Sequence, residues 1–200
     1  MRTLSVDVRL GVKATADDVL REQPDAVVVA TGAHPARPVI PGIDLPHVAT
    51  CVDVLTGKHE AGPRVVLIGG GCNGSETAEF LAKRGREVTI VEIRGEVALD
   101  VDFWNRWVLM DRLAGMNIRM LVQAKVEQIT PEGVRVVAEG RPPEFVPADT
   151  VVYAIGAQPY NPLKYDLEGK VPDLRVIGDC DSPQRVRQAV DAGFRAGAGV

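Results

Sequence analysis

Cysteine is scarce in this sequence, and the cysteines lie far apart. The 200 residues include only three, Cys51, Cys72 and Cys180, and none of them forms a C-x-x-C pair. A disulfide framework, a structural zinc site and a dithiol redox centre all require closely placed cysteines. The sequence therefore argues against all three.

Long apolar runs and long runs of one charge are also missing. The apolar runs at 26–30 and 65–68 are far shorter than the roughly 20 residues that span a bilayer, and the N-terminus lacks the apolar core of a signal peptide. The 23 Lys and Arg residues are dispersed among 27 Asp and Glu residues, for a net charge of −4, so no basic stripe is available to nucleic acid or anionic lipid. We predict neither a membrane nor a nucleic-acid partner, and a cytoplasmic location.

Aromatic residues are few, whereas glycine is abundant. The chain has 4% aromatic residues but 20 glycines, with 46% hydrophobic and 25% charged residues. The last two values are typical of an ordinary globular chain. A glycine-rich, aromatic-poor composition suits a backbone that approaches a ligand closely.

One glycine cluster stands in a specific context. Gly69, Gly71 and Gly74 fit G-x-G-x-x-G, directly after the apolar strand 65–68 and before a helix predicted from about residue 74 to 84. In the dinucleotide-binding fingerprint these glycines permit a tight turn, close approach of the pyrophosphate and close helix–strand packing, while the helix N-terminus binds phosphate. A glycine-rich turn without a ligand is the alternative.

An acidic residue completes this fingerprint. Glu92 lies 23 residues beyond Gly69, at the end of the next predicted strand, 88–92. It can accept both hydroxyls of an adenosine ribose and would repel a 2′-phosphate, which favours NAD(H) over NADP(H). Arg94 can instead contact a 2′-phosphate or remain a solvated surface charge.

Periodicity predicts the remaining elements. They are a strand at 1–13, a helix at 15–21 capped by Thr15, a buried strand at 25–30, an extended proline-rich connector within 35–62, an amphipathic helix at 101–114, a strand at 118–122, a hairpin at 125–138 with a third strand at 145–147, strands at 150–155 and 174–177, and a closing helix at 184–196. The aromatic residues of 101–114 are expected to pack the helix against the core. The three histidines are expected at the surface or in caps.

The order of the motifs resembles a known group of flavoproteins. AVVVATG at 26–32, the fingerprint, TVVYAIG at 150–156 and VIGDC at 176–180 occur in the order found in two-dinucleotide-domain reductases of the pyridine nucleotide-disulfide oxidoreductase-like superfamily. The amino-acid sequence, especially at 178–183, is most similar to the C-terminal part of multidomain old-yellow-enzyme relatives. These are the 2,4-dienoyl-CoA reductase, trimethylamine dehydrogenase and histamine dehydrogenase family.

This resemblance implies roles for further residues. Asp179 would hydrogen-bond the FAD ribityl chain, and Gly178 would let the backbone approach it. Thr31 and Gly32 would line the FAD region. Glu76 matches an acidic position near the nicotinamide carboxamide, or is simply an acid favoured in the first helical turn. For Asp179 the alternative is a turn-former after a strand.

The complete set of predicted cofactor-binding residues is Gly69, Gly71, Asn73, Gly74, Glu76, Glu92, Arg94, Thr31, Gly32, Gly156, Gly178 and Asp179. No catalytic side chain and no metal ligand is predicted.

The resemblance also indicates what is missing. No second glycine fingerprint precedes residue 1, so the first βαβ unit of an FAD-binding domain is expected to be absent, together with the barrel for FMN and the cysteines for a 4Fe–4S cluster. We expect a fragment, a truncated chain, or a subunit whose partner supplies the remainder; self-association stays open.

The resulting prediction is an α/β chain in which a Rossmann-like NAD(P)H-binding domain (63–154) is inserted in a partial, discontinuous three-layer FAD-binding domain (1–62 and 155–200). Its predicted function is hydride transfer from NAD(P)H to FAD within a 2,4-dienoyl-CoA reductase-like or NADH:flavin oxidoreductase-like enzyme. One alternative is a non-catalytic ADP- or nucleotide-binding structural domain of an amine dehydrogenase-like flavoprotein. Another is a two-domain reductase that serves a ferredoxin or a glutamate synthase.

Overall fold

A computed structural model describes residues 6–199 of the chain. The described residues form two compact units: residues 35–157 form one, and residues 6–34 together with 158–199 form the other. The first of these is therefore an insertion in the sequence of the second. The α/β class predicted from the sequence is confirmed.

The elements follow in chain order. The strands are β1 (Ala26–Val29), β2 (Ala33–Pro35), β3 (Val48–Thr50), β4 (Arg64–Ile68), β5 (Glu87–Val91), β6 (Arg119–Leu121), β7 (Ala124–Thr130), β8 (Gly133–Ala138), β9 (Arg141–Pro147), β10 (Thr150–Tyr153), β11 (Ala157–Pro159) and β12 (Asp173–Val176). The helices are α1 (Ala16–Arg21), α2 (Cys51–Leu55), α3 (Cys72–Ala82), α4 (Phe103–Ala114), α5 (Pro162–Leu167) and α6 (Val186–Ala198), with a short 3-10 helix at Gly178–Cys180.

The unit of residues 35–157 is built on a five-stranded parallel sheet. Its order is β3-β10-β4-β5-β6, so β4 is central and pairs with β10 and β5. Side chains alternate between the two faces of a strand: Val65 and Leu67 pack in the cluster that contains the α3 residue Ala78, whereas Val66 packs in the cluster that contains Val134. Both faces of β4 are therefore covered, by α3 on one side and by the antiparallel sheet β7-β8-β9 on the other.

The second unit contains a parallel pair, β1 with β12, in which Val29 lies opposite Val176. Val29, Leu167 and Cys180 are buried. Helix α1 begins with a capping box between Thr15 and Asp18, as the sequence predicts for its start.

Two predictions about local structure are wrong. Residues 6–13 contain no strand, and their alternating apolar side chains are exposed; residues 1–5 of that predicted strand lie outside the described part. Alternation does not make a strand where no neighbouring strand satisfies its backbone hydrogen bonds.

In α4, Trp104 and Trp107 are 75% and 67% exposed, because Leu109 and Leu113 supply the buried face instead.

The predicted connector is more ordered than expected. Residues 48–55 form β3 and α2, and Ile40, Ile43 and Leu45 pack against the core of the sheet. The compact unit consequently begins at residue 35. The assignment of residues 63–154 to nicotinamide dinucleotide and of the flanking segments to FAD stays a prediction.

An ion pair that the sequence analysis missed joins α3 to α4. The carboxylate of Glu79, which is 7% exposed as a residue, accepts hydrogen bonds from Arg112 Nε at 2.8 Å, Arg112 Nη2 at 2.9 Å and Lys83 Nζ at 2.7 Å. The hydrogen bonds from Arg112 and then Lys83 lower the pKa of Glu79 to about 2. The charged form is thus stabilised in the folded state.

We predict that Glu79→Gln lowers the free energy of unfolding by about 2 kcal/mol at neutral pH, because charge-assisted hydrogen bonds are lost. The lowered pKa makes this contribution fully present above the unfolded-state pKa, and it declines as pH falls from about 4.5 towards about 2. Urea unfolding across this pH range measures the difference. Glu132→Gln, an exposed turn position, is the control; an equal loss in both variants would contradict the assignment.

Candidate functional site

The glycine loop leaves β4 in a conformation and packing that suit glycine. Gly69 has φ +97°, and a Cβ there would lie 2.6 Å from the carbonyl oxygen of Ala154. A Cβ on Gly74 would overlap the carbonyl oxygen of Gly69. The tight turn and the close helix–strand approach that the sequence predicts are therefore both present. The helix starts at Cys72, two residues earlier than expected.

Gly71 is constrained by a side chain and not by backbone. A Cβ there would meet the Asp100 carboxylate at 3.1–3.5 Å. The two oxygens of that carboxylate accept from the Cys72 amide at 2.9 and 3.1 Å. An anionic group of the chain itself therefore lies at the N-terminus of α3. Sequence reasoning missed Asp100, because no spacing rule connects it with the fingerprint.

Glu92 is buried beside the same loop. It is 4% exposed; its Oε2 accepts from the Gly70 amide at 2.6 Å, and its Oε1 accepts from the Arg94 amide at 2.8 Å and from Arg94 Nε at 3.1 Å. Burial by itself raises the pKa of Glu92, but the hydrogen bonds from Arg94 and Gly70 outweigh it and the pKa is lowered. Glu92 is thus an anion that secures the glycine loop to the end of β5.

These bonds limit what else Glu92 can hold. A carboxylate has about four acceptor positions, and three donors already use this one. One position is left for a ligand hydroxyl. The prediction that Glu92 accepts both ribose hydroxyls therefore requires one of the internal bonds to be exchanged.

A cavity of about 470 Å³ opens next to the loop, within the range of ligand pockets. Its polar lining combines Glu92 with Arg94 and Lys125. The remaining walls are backbone of the glycine loop and apolar side chains, among them Ile40, Ile93, Val126 and Ile155. Gly156, with φ +114°, also lines the cavity. Lys125 was not among the predicted residues, since a charged residue at a strand start carries no distinctive signal.

Asn73 and Glu76 are both exposed on α3. Because the helix begins at Cys72, Glu76 lies in its second turn. The helix-dipole explanation for an acid at this position is therefore wrong, since the favourable field is confined to the first turn. Its contact with a nicotinamide stays a prediction.

A second group of predicted residues meets in the other unit. Strands β1 and β12 are parallel, so Thr31 and Gly32 after the one and Gly178 and Asp179 after the other lie at the same sheet edge. Both glycines have positive φ, +76° and +66°. The Thr31 hydroxyl donates to the carbonyl of Tyr160, and Asp179 Oδ1 accepts from the Gln184 amide at 3.1 Å. The structure thus brings these four residues together.

The setting of His47 differs from the one predicted. His47 is half-buried, and its Nε2 is enclosed without a hydrogen-bond partner among the described residues, so its predicted surface or capping role is wrong. Within residues 6–199 no group of three His, Cys, Asp or Glu side chains could hold a metal ion. Nowhere in that same range is a helix both long and apolar enough to cross a bilayer.

Comparison with known proteins identifies the family. The pyridine nucleotide-disulphide oxidoreductase family matches residues 9–193. The chain belongs to this family of oxidoreductases. The predicted cofactors, a nicotinamide dinucleotide and FAD, agree with that membership.

The relatives are longer than this chain. The chain is 39% identical over 195 residues to the NADH oxidase of Thermoanaerobacter brockii, covering 95% of this chain and 30% of that protein. It is similar to the structure of a 2-naphthoyl-CoA reductase complex (TM-score 0.95, 32% identity, 100% and 30% coverage). It is also similar to 6-hydroxypseudooxynicotine amine oxidase from Pseudomonas geniculata N1 (TM-score 0.85, 28% identity, 94% and 31% coverage). The predicted resemblance is confirmed, and the chain spans about 30% of these relatives.

We predict that Gly74→Ala destabilises the chain by about 3 kcal/mol, because the added methyl group forces α3 away from β4. The shift should also abolish ligand binding at the glycine loop. Thermal unfolding and NADH titration measure the two effects. Gly95→Ala is the matched control, since no heavy atom lies near its Cβ position and its φ is not positive; a tolerated Gly74→Ala would refute the packing argument.

Proposed function

We propose that residues 35–157 bind the diphosphate and adenosine of NAD(H), and that the chain belongs to an enzyme that passes a hydride from this nucleotide to FAD. The observation that carries the proposal is the glycine-only turn from β4 into the N-terminus of α3, with buried Glu92 and an adjoining cavity in the same compact unit. Backbone amides at a helix N-terminus and the positive end of its dipole favour a phosphate group.

Different parts of the cavity would bind different parts of the nucleotide. The backbone of Gly69–Gly71 and the first turn of α3 would hold the diphosphate. The remaining acceptor position of Glu92 would take a ribose hydroxyl, and the apolar wall around Ile93 and Val126 suits the adenine face. In the other unit, Gly32 and Gly178 would let FAD approach the backbone while Asp179 accepts a hydrogen bond from its ribityl chain.

When bound, the nicotinamide supplies the hydride and the flavin accepts it, so this step requires orientation but no acid or base side chain. We further propose that the parent enzyme delivers the electrons to a substrate such as an acyl-CoA thioester. The similarity to a 2-naphthoyl-CoA reductase supports this substrate class. The remainder of the flavoprotein is the partner that this proposal requires.

Flavin reduction tests the proposed function. In the flavin-loaded protein under anaerobic conditions, we expect added NADH to abolish the absorbance of the oxidised flavin. A flavin that an amine reduces and that NADH leaves oxidised would reject the reductase and favour a nucleotide-binding structural domain. The similarity to an amine oxidase is the observation that favours this second candidate.

The arrangement around Glu92 supports NAD(H) over NADP(H). Glu92 is ionised at neutral pH because its pKa is lowered, and a 2′-phosphate beside it would be repelled. Arg94, the cation that could bind this phosphate, already donates to Glu92. Both effects disfavour the phosphorylated nucleotide.

We predict that Glu92→Ala weakens NADH binding about tenfold relative to NADPH binding, which corresponds to about 1.4 kcal/mol. NADH loses the acceptor for its ribose hydroxyl, whereas for NADPH the variant removes the repulsion of the 2′-phosphate and releases Arg94. Titration of each nucleotide by fluorescence measures the ratio of dissociation constants. Glu132→Ala should leave that ratio unchanged. An equal loss for both nucleotides would remove the argument for NAD(H).

A further inference from the structure

The Asp100 carboxylate lies where a phosphate group would be expected. Its oxygens accept from the amide of Cys72 at 2.9 and 3.1 Å, and Cys72 is the first residue of α3. This amide points out of the helix because it has no partner in a preceding turn. In a G-x-G-x-x-G site such amides bind the diphosphate, so Asp100 and the ligand require the same donor.

Hydrogen bonds hold the main chain two and three residues before Asp100. Ala98 is fully buried, and its amide donates to the Gly70 carbonyl at 2.6 Å. The neighbouring carbonyl of Val97 accepts from Arg106 Nε at 3.1 Å. The Asp100 side chain, in contrast, is 51% exposed. Rotation of this side chain can therefore vacate the helix N-terminus without moving the loop that carries it.

A cation lies close to the carboxylate. Arg94 Nη2 is 3.9 Å from Asp100 Oδ1, and Arg94 Nε is 3.1 Å from Glu92 Oε1. Once turned away from Cys72, the Asp100 carboxylate can move nearer to Arg94. The charge displaced from the helix N-terminus is then compensated by a side chain already present at the site.

We propose that Asp100 is an internal competitor for the diphosphate and thereby sets the affinity of the site for nucleotides. The inference rests on the proposed function, because it assumes that the glycine loop binds a diphosphate. Every diphosphate ligand has to displace the Asp100 carboxylate from the Cys72 amide, and this displacement lowers its affinity. A nucleoside without phosphate does not need the Cys72 amide and avoids this displacement.

The variant Asp100→Asn separates charge from shape. The amide side chain keeps an oxygen that can accept from Cys72 but loses the negative charge, and a neutral acceptor binds an amide less strongly than a carboxylate does. We expect ADP and NADH to bind about tenfold more tightly to this variant, on the scale of one charge-assisted hydrogen bond, and adenosine to bind with unchanged affinity. Isothermal titration with the three ligands measures the constants.

Two further variants complete the design. Asp111→Asn removes the same charge from an exposed position of α4 and should leave all three dissociation constants unchanged. Asp100→Ala removes the competitor entirely and should tighten ADP binding at least as much as Asp100→Asn, while thermal unfolding reports any loss of the helix cap.

The outcomes distinguish this inference from the proposed function. Equal ADP affinity in the original chain and Asp100→Asn overturns the inference and leaves the function intact. Weaker ADP binding by the variant also overturns it and would make Asp100 a supporting residue of the site. Tighter binding of adenosine to the same extent as ADP would show that the gain does not concern the diphosphate. If no form binds ADP or NADH, the proposed function fails and the inference fails with it.

Discussion

The close approach of α3 to the end of β4 is the constraint on which the candidate site depends. A Cβ on Gly74 would overlap the carbonyl oxygen of Gly69, so α3 can pack this closely against the end of β4 only if residue 74 is glycine. Leu67 and Ala78, both fully buried, complete the contact between the two elements. This packing points the N-terminus of the helix at the loop, and every function proposed for the loop requires that direction.

The charges near the loop form a connected set. Glu92 holds the Gly70 amide and Arg94, Arg94 lies between Glu92 and Asp100, and Asp100 accepts from the first amide of α3. Two carboxylates and one guanidinium therefore surround the place proposed for a diphosphate. Lys125 adds a second cation to the lining of the adjoining cavity. Since Asp100 occupies the Cys72 amide, an anionic ligand that binds this amide has to displace the Asp100 carboxylate.

The two groups of predicted residues have the same structural basis. In each unit, the residues follow the carboxyl ends of parallel strands: β4 and β5 in one, β1 and β12 in the other. Ligands of open α/β sheets bind at such edges, where loops leave the strands together. Membership in the pyridine nucleotide-disulphide oxidoreductase family leads us to expect dinucleotide ligands at these two edges.

Elements with short-range sequence signals can be predicted from the sequence alone. Strand β4, the glycine turn, α3 and the hairpin of β7 and β8 follow from apolar runs, glycine positions and a turn motif. All four are present, and α3 begins two residues earlier than predicted. The positions of Gly69, Gly74 and Glu92 in the site follow from the same spacing rules. The contact of Asp100 with Cys72 and the ion pair by which Glu79 joins α3 to α4 follow from tertiary packing, because they connect residues about 30 positions apart, at distances no periodicity encodes. The exposure of Trp104 and Trp107 also follows from packing, since burial depends on which neighbour packs against a helix face.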